Sequence, residues 1–152
     1  MEINAMKTTE NVYEAIKRDE RFTILSKILD LTGIGKAMST ERETFTFFAP
    51  TDDAFRRLSE KALILLMSPE GTGLVAAVLG QHLVPKSYLY SNDLRRQDSV
   101  KTLHGNKLKI TEEANILQVE QAHILLPVIA ASNAVVFPVD KVLPARRRAL
   151  SA

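Results

Sequence analysis

Two adjacent acidic residues, Asp52 and Asp53, are the first side chains in this sequence whose type and spacing could support chemistry. Paired carboxylates can hold a metal ion or act as general acid and base, provided that they face each other. Neighbouring residues on a helix point about 100° apart, so these two do not converge on one ion or proton. Because Thr51 has N-cap chemistry, we interpret Thr51 and Asp52 as bonding the backbone N–H groups of a helix that starts after Pro50.

The three histidines, His82, His104 and His123, are the next candidates, since an imidazole can bind a metal or transfer a proton. They lack the H-x-H or H-x-x-x-H spacing of metal ligands, and no cysteine is present to complete such a site. We expect His104 to be solvated and His123 to lie in a strand. His82 falls on the apolar side of a predicted helix, where a buried histidine held by a backbone carbonyl or a hydroxyl is favoured over a ligand or catalyst.

Short motifs of enzyme chemistry are weak or absent. The sequence GTGLVA at 71–76 fits the dinucleotide fingerprint G-x-G-x-x-A, but Ser-Pro-Glu precedes it where a strand is needed, so we interpret it as a loop entering a helix. The nucleophile elbow G-x-S-x-G does not occur. Without a nucleophile–base pair, a thiolate or a histidine cluster, the sequence predicts a protein that is not an enzyme and holds no cofactor or metal.

The composition is that of an ordinary globular chain, with 152 residues of which 45% are hydrophobic and 25% charged. Its 20 basic and 18 acidic residues leave a net charge of +2, which argues against a nucleic-acid-binding polycation. The absence of cysteine excludes disulfides. The longest apolar run, 62–67, is far shorter than the about 20 residues of a membrane span, and no signal peptide is visible at the N-terminus.

The first half of the chain has mainly helical signals. Thr8 or Thr9 can cap a first helix, and Gly33 is placed to end a second one. The run 44–49 is dense in β-branched and aromatic residues and therefore predicts a strand. Helical patterns then resume as far as residue 84.

Beyond Pro85 the pattern becomes that of strands. The stretch 99–111 alternates around Gly105-Asn106, which suits a hairpin turn, and two further strand-like runs follow. Helices followed by a run of strands favour an α+β domain over alternating βαβ units.

No internal repeat, low-complexity tract or linker interrupts the chain, so the sequence predicts one domain. We place this domain at 9–145, after an N-terminal extension at 1–8. A basic tail at 146–152, which contains Arg146 to Arg148, is expected to be a solvated end rather than a binding site.

Five spaced segments together resemble the fasciclin-like (FAS1) domains. The stretch FTFFAPTDDAF closely resembles the first signature of that family, a strand that ends in Phe-Ala-Pro-Thr before a polar pair and Ala-Phe. The resemblance covers roughly residues 9 to 145. The other four segments are RFTILSKILDLTGIGKAM, VLGQHLVPKSYLYSNDL, VKTLHGNKLKI and IAASNAVVFPVDKVLP, which is similar to the second signature.

The resemblance implies a compact α+β fold, a β-wedge or sandwich of about seven strands with flanking α-helices. It also implies a non-enzymatic role in adhesion at a cell surface or in a matrix, with a secreted or periplasmic location, although the sequence leaves a cytoplasmic one open. The implied partner is a protein or surface polymer of the cell envelope or matrix, bound by a monomer or weak homo-oligomer without nucleic acid or membrane insertion. The signature positions with structural or adhesion-related roles are Thr51, Asp52, Phe55, His82, Ile129, Asn133 and Asp140.

The chain departs from the family where animal members mediate integrin-dependent adhesion. The Tyr-His pair of those members is Gln81-His82 here, and their Asp-Ile dipeptide is Val128-Ile129. The His of the second signature is Phe137. We therefore expect no integrin-dependent adhesion and predict a microbial, bacterial member with an extracellular interaction role.

Two functions stay open at this point. The first is a cell-surface or matrix interaction module, and the alternative is a binding protein for a lipophilic small molecule such as a carotenoid, which some fasciclin-like proteins carry. An exposed apolar groove would favour the alternative, whereas a broad polar face would favour the interaction module.

Overall fold

The three-dimensional structure is a computed structural model that describes residues 5–40 and 42–143. Within these residues the chain forms seven α-helices and nine strands, and the strands lie in two sheets. The predicted α+β class is therefore confirmed. The basic tail predicted at 146–152 lies outside the described residues.

The helices and strands follow the order predicted from the sequence, with most helices in the first half of the chain and most strands in the second. The helices are α1 Val12–Arg18, α2 Thr23–Thr32, α3 Ile34–Ser39, α4 Asp52–Arg56, α5 Glu60–Leu66, α6 Thr72–Gly80 and α7 Ser91–Arg95. Short 3-10 turns, Glu20–Phe22 and Pro69–Gly71, lead into α2 and α6. The strands are β1 Ala5–Lys7, β2 Phe45–Pro50, β3 Leu83–Pro85, β4 Ser99–Lys101, β5 Lys107–Glu113, β6 Ile116–Val119, β7 Ala122–His123, β8 Val128–Ala130 and β9 Ala134–Val139. The described residues thus hold more strands than the about seven implied by the resemblance, and several are very short.

The first helix begins later than the sequence suggested. Asn11 is its N-cap, and Asn11 and Glu14 form a reciprocal capping box in which the Asn11 side chain accepts from the Glu14 N–H at 3.0 Å. The expectation of a cap at Thr8 or Thr9 is wrong. Thr8 instead continues the pairing of β1 with β8, since its N–H donates to the Ala130 carbonyl at 3.0 Å, and the chain bends at Thr9 before the helix begins.

The five-stranded sheet has the order β1-β8-β9-β2-β3, and the four-stranded sheet has the order β4-β5-β6-β7. In the larger sheet β2 runs parallel to β9 and antiparallel to β3, and β1 runs parallel to β8. The smaller sheet is antiparallel throughout.

The molecule has three layers, because the larger sheet is covered on both faces. One face of β2 packs Phe45, Phe47 and Ala49 into a core shared with the helices. The opposite face places Phe48 in a second core shared with the smaller sheet, where it stacks on Phe137 of β9 with ring centroids 5.6 Å apart. Burial on both faces explains why all six residues of β2 are buried, a pattern that periodicity alone does not distinguish from a helix.

The helix α6 ends four residues before the predicted position. The backbone leaves the α-helical pattern when the Gln81 N–H bonds Val78 and the His82 N–H bonds Leu79, each three residues back. Leu83–Pro85 then pairs with β2. Strand pairing in the tertiary structure thus overrides helical propensity here, and His82 lies in a turn rather than on a helix.

Candidate functional site

The turn after β2 uses Thr51 as predicted. The Thr51 hydroxyl accepts from the Ala54 N–H at 3.4 Å, which confirms Thr51 as the N-cap of α4. Its hydroxyl and N–H also both donate to the Val139 carbonyl, at 3.1 Å each. Thr51 therefore joins the start of α4 to the end of β9.

Asp52 bonds a different helix from the one predicted. Its Oδ1 accepts from the Ile24 N–H at 2.8 Å, and its Oδ2 accepts from the Thr23 hydroxyl at 2.5 Å. Helix α2 has no side-chain cap of its own at Phe22, so Asp52 supplies an anionic cap from 28 residues further along the chain. The expectation that Asp52 bonds the first turn of its own helix is wrong, although its capping chemistry is right.

The two carboxylates at the start of α4 do not share a site. The Asp53 side chain is 82% exposed and pairs with Arg56 at 3.3 Å, whereas Asp52 faces α2 and lies 3.9 Å from the same guanidinium. Phe55 is buried in the helical core. This stretch therefore has a structural role in helix capping and core packing, in agreement with the interpretation of the sequence.

His82 is fully buried and satisfied at both ring nitrogens. The Leu143 N–H donates to Nε2 at 2.8 Å, which places the ring proton on Nδ1, and Nδ1 donates to the Val78 carbonyl at 2.7 Å. Burial lowers the pKa of His82 to about 4, against the opposing effect of the Val78 hydrogen bond. His82 is thus a neutral structural link between the end of α6 and the segment after β9.

Gln81, at the position of the family tyrosine, anchors the tip of the β4–β5 hairpin. Its Oε1 accepts from Asn106 Nδ2 at 2.7 Å and from the Thr102 hydroxyl at 3.4 Å. The next hairpin residue, Leu103, donates its N–H to the Leu83 carbonyl at 2.8 Å. Gln81 is only 3% exposed, so its amide is committed to the interior.

Val128 and Ile129, the other adhesion-related positions, are also inside the fold. Val128 and Ile129 lie in β8 with 0% and 3% exposure, and their side chains belong to opposite cores. Asn133 joins two helices, because its Oδ1 accepts from the Val12 N–H at 2.8 Å and its Nδ2 donates to the Met38 carbonyl at 2.9 Å. Val128 and Ile129 therefore present no surface to a receptor, and the partly exposed Asn133 bridges α1 and α3.

Asp140 pairs with a histidine, which the sequence patterns did not indicate. Its carboxylate accepts from the His123 N–H at 2.8 Å and lies 2.8 Å from His123 Nδ1. Burial alone would raise the pKa of Asp140, but the hydrogen bonds and charge of His123, with the charge of Arg57, keep it below its usual value. The signal available in the sequence is weak, since 17 residues separate the two partners.

His104 is exposed, as expected beside the hairpin glycine, and its ring packs closely over Gly80. Among the described residues, no group of three His, Asp or Glu side chains is placed to hold a metal ion. No single described helix is long and apolar enough to cross a membrane, and α5 with Pro69–Gly80 reaches that length only as a pair bent by 86°.

An open apolar groove of about 520 Å³ lies between α3, α6 and the β2–β3 edge of the larger sheet. Its apolar lining includes Ile34, Met38, Phe47, Ala76, Leu79 and Leu103. The polar lining residues are Glu43, Thr44 and Lys86. A concave, mainly apolar site of this size with a few polar groups has the general form of a small-molecule site.

The geometry defines an α+β domain of three layers whose polar signature residues bond groups on other elements of the same domain. A family model, the fasciclin domain, matches residues 20–145. The chain belongs to the fasciclin domain family, which confirms the resemblance drawn from the five segments.

Relatives of very different length share this domain. The chain is 28% identical over 138 residues to the rabbit (Oryctolagus cuniculus) transforming growth factor-beta-induced protein ig-h3. The aligned region covers 90% of this chain but only 20% of the rabbit protein. Two proteins of the microbe Synechocystis sp. are each 27% identical to this chain. The match to protein sll1483 covers 91% of this chain and 76% of that protein. The match to uncharacterized protein sll1735 covers 88% of this chain and 96% of that protein. The two Synechocystis proteins support the expected assignment to a microbial member of the family.

A solved structure shares the fold. The FAS1 domain pair of fasciclin I, described as an insect cell adhesion molecule, superposes with a TM-score of 0.80 at 15% sequence identity. The match covers 93% of this chain and 52% of the insect chain. At this identity the likeness concerns the fold alone.

Proposed function

We propose that this chain is a non-enzymatic interaction module that contacts a protein or polymer of a cell surface or extracellular matrix. Membership of the fasciclin family and the likeness in fold to an insect cell adhesion molecule support this proposal. The main observation behind the proposal is that the polar signature residues form their hydrogen bonds inside the domain. Thr51, Asp52, His82, Asn133 and Asp140 all bond groups within the domain, so binding falls to the outer surface.

The proposal is tested by measuring how the purified, fluorescently labelled protein associates with intact cells and envelope fractions of its own source organism. We expect saturable association that excess unlabelled protein displaces. A heat-denatured sample and an inert protein of similar size and charge serve as controls. Association no greater than that of the inert protein, or substrate turnover that a single substitution abolishes, would contradict the proposal.

A second function, binding of a lipophilic small molecule such as a carotenoid, is favoured by the apolar groove. The test is to express the protein beside a carotenoid pool and record the visible spectrum of the purified protein. Ala76→Trp should fill the groove from α6 and remove the bound pigment.

Gly73→Trp is the matched control for this experiment, because Gly73 lies on the same helix, has open space around it and does not line the groove. We expect this variant to keep the pigment. A colourless parent protein, or equal loss in both variants, would reject the groove as a ligand site.

A further inference from the structure

The outward face of the β4–β5 hairpin carries three lysines. Lys101 lies directly opposite Lys107 across the two strands, and Ser99 lies opposite Lys109. Directly opposed residues of an antiparallel pair point to the same side, and alternate residues of a strand share a face. The three lysines therefore project together, and all are exposed, while Val100, Leu108 and Ile110 point into the second core.

This arrangement violates a rule of strand pairing, since like charges directly opposite each other destabilise a sheet. The turn keeps the pair in place, because the Thr102 N–H donates to the Asn106 carbonyl at 2.8 Å and the Gly105 N–H donates to the Thr102 carbonyl at 2.9 Å.

Within residues 5–40 and 42–143, no carboxylate lies within ion-pair distance of the three ammonium groups. The carboxylate of Glu120 accepts from the backbone N–H of Lys109 at 2.7 Å and makes no ion pair with its side chain. An opposed pair of like charges that no neighbouring carboxylate neutralises is the kind of local conflict that proteins keep at functional surfaces.

A cleft with both polar and apolar lining residues adjoins these lysines. Lys101 and Lys107 line it together with Gln97 and Ser99, and its volume is about 830 Å³. The side chains of Gln97 and Ser99 make no hydrogen bond within the described part of the chain. They are therefore available to the hydroxyl groups of a ligand that the lysines attract.

We propose that the lysine face, formed by Lys101, Lys107 and Lys109 with Gln97 and Ser99, binds an acidic polysaccharide of the cell surface or matrix. This inference rests on the proposed interaction function and names its partner class. Carboxylate or sulfate groups along a glycan supply the missing counter-charges, and flexible lysines match groups whose orientation varies. The glycan hydroxyls bond Gln97 and Ser99.

The chemistry of the face favours a glycan over two other polyanions. Single-stranded nucleic acid needs aromatic side chains on which bases stack, and the five residues of the lysine face include none. Protein interfaces are enriched in aromatic and arginine anchors and depleted in lysine at their centre. The lysine face contains neither an aromatic residue nor an arginine, so it fits neither pattern.

The experiment measures binding of the purified protein to immobilised polygalacturonate, a polyuronate, over a range of salt concentrations. We expect binding that weakens as salt rises, because exposed ion pairs are screened. The triple variant Lys101→Gln/Lys107→Gln/Lys109→Gln should bind roughly tenfold more weakly, as three exposed ion pairs are lost.

The matched control is Lys27→Gln/Lys36→Gln/Lys61→Gln, which removes three exposed lysines from helices and changes the net charge of +2 equally. It should bind like the parent. Equal weakening of both triple variants, or a parent that does not bind at low salt, would overturn the proposal. The face variant relieves a like-charge pair, so we expect its unfolding midpoint to be no lower than that of the parent.

Three comparison ligands separate the partner classes: neutral dextran, poly-glutamate and an oligothymidine. Neutral dextran should not bind. Gln97→Ala/Ser99→Ala should weaken polygalacturonate binding and leave poly-glutamate binding unchanged. Parent binding to poly-glutamate or oligothymidine as tight as to polygalacturonate would reject a glycan as the preferred partner.

The polysaccharide inference and the interaction function fail in different ways. If the parent and the face variant associate equally with cells, the lysine face is excluded while the interaction function stands. If polygalacturonate binding requires the lysine face but no cell association occurs, the interaction function is excluded while the face remains a glycan site.

Discussion

The Nε2 atom of His82 accepts a hydrogen bond from the backbone N–H of Leu143, a residue 61 positions further along the chain, at 2.8 Å. This contact requires a neutral imidazole with its proton on Nδ1, where the Val78 carbonyl accepts it. Protonation of Nε2 would set an N–H donor against another N–H donor inside the core. The relationship therefore links the stability of the fold to pH.

Acid should destabilise the protein through His82. The pKa of His82 is lowered from 6.5 to about 4 in the folded state, so its contribution is complete above pH 6.5 and is lost as pH falls towards 4. A shift of this size corresponds to about 3 kcal/mol. Urea unfolding at a series of pH values should show this loss in the parent.

His82→Gln is the control for this prediction, because it cannot titrate. We expect it to be less stable than the parent at neutral pH but nearly independent of pH between about 6.5 and 4. The lowered pKa values of Asp19 and Asp140 act only below their ordinary value of 3.8, outside this window. If the parent and His82→Gln show the same pH dependence, another group is responsible.

Asp52→Ala should destabilise the fold by about 1–2 kcal/mol, because the start of α2 loses its acceptor for the Ile24 N–H and the Thr23 hydroxyl. Asp53→Ala is the matched control, since that exposed carboxylate makes a surface pair with Arg56, and its effect should stay within about 0.5 kcal/mol. Chemical denaturation measures both. Equal effects would show that helix-dipole charge, and not the inter-helix cap, is the source of stability.

Asn133→Ala should cost roughly 1–3 kcal/mol, because the Val12 N–H loses its acceptor and the Met38 carbonyl loses its donor in one change. Ser132→Ala, at the exposed neighbouring position, should be almost neutral. Hydrogen exchange adds a local readout, since amides at the start of α1 should exchange faster in the Asn133 variant alone. Unchanged exchange there would remove Asn133 from its bridging role.

The purified protein should not support integrin-dependent attachment of animal cells. The adhesion-related positions are occupied by Gln81, Val128 and Ile129, which are buried and cannot reach a receptor. The measurement is attachment of animal cells to a coated plate with and without EDTA, beside a matrix protein as positive control. EDTA-sensitive attachment at the level of that control would contradict the prediction.

Restoring the animal-type acid at position 128 should unfold the domain rather than create adhesion. Val128→Asp places a carboxylate at a fully buried position in β8, which should cost several kcal/mol, roughly the penalty of an unpaired buried polar group. Leu126→Asp, at an exposed position two residues earlier, should be tolerated. A folded Val128→Asp protein of parental melting temperature would show that β8 is more open than the structure describes.

Local signals in the sequence were sufficient for much of this architecture. Thr51 caps α4, and Gly33 ends α2 in the left-handed conformation with φ 76°. These features depend on the chemistry of one residue and its immediate neighbours, so they can be predicted without knowledge of the fold. The five family segments likewise sufficed for the family and for the α+β class.

Tertiary structure decided which groups those residues bond. Asp52 has capping chemistry in any context, but α2 became its target because α4 packs against that helix. The helix ends at Gly80, earlier than predicted, because Leu83–Pro85 pairs with β2 as a strand. His82 was expected to be buried and bonded to a carbonyl, but its bond with Leu143 joins residues whose proximity no local pattern encodes.

The surfaces also followed from tertiary structure. The apolar groove combines side chains of α3, α6 and the β2–β3 edge, and the His123–Asp140 pair joins β7 to the end of β9. The three lysines of the β4–β5 hairpin are visible in the sequence, yet their shared face depends on the register that sets Lys101 opposite Lys107. Residue chemistry and short-range periodicity are written in the sequence, whereas contacts between distant residues arise only when the chain packs, because burial and pairing select among the partners that each residue could take.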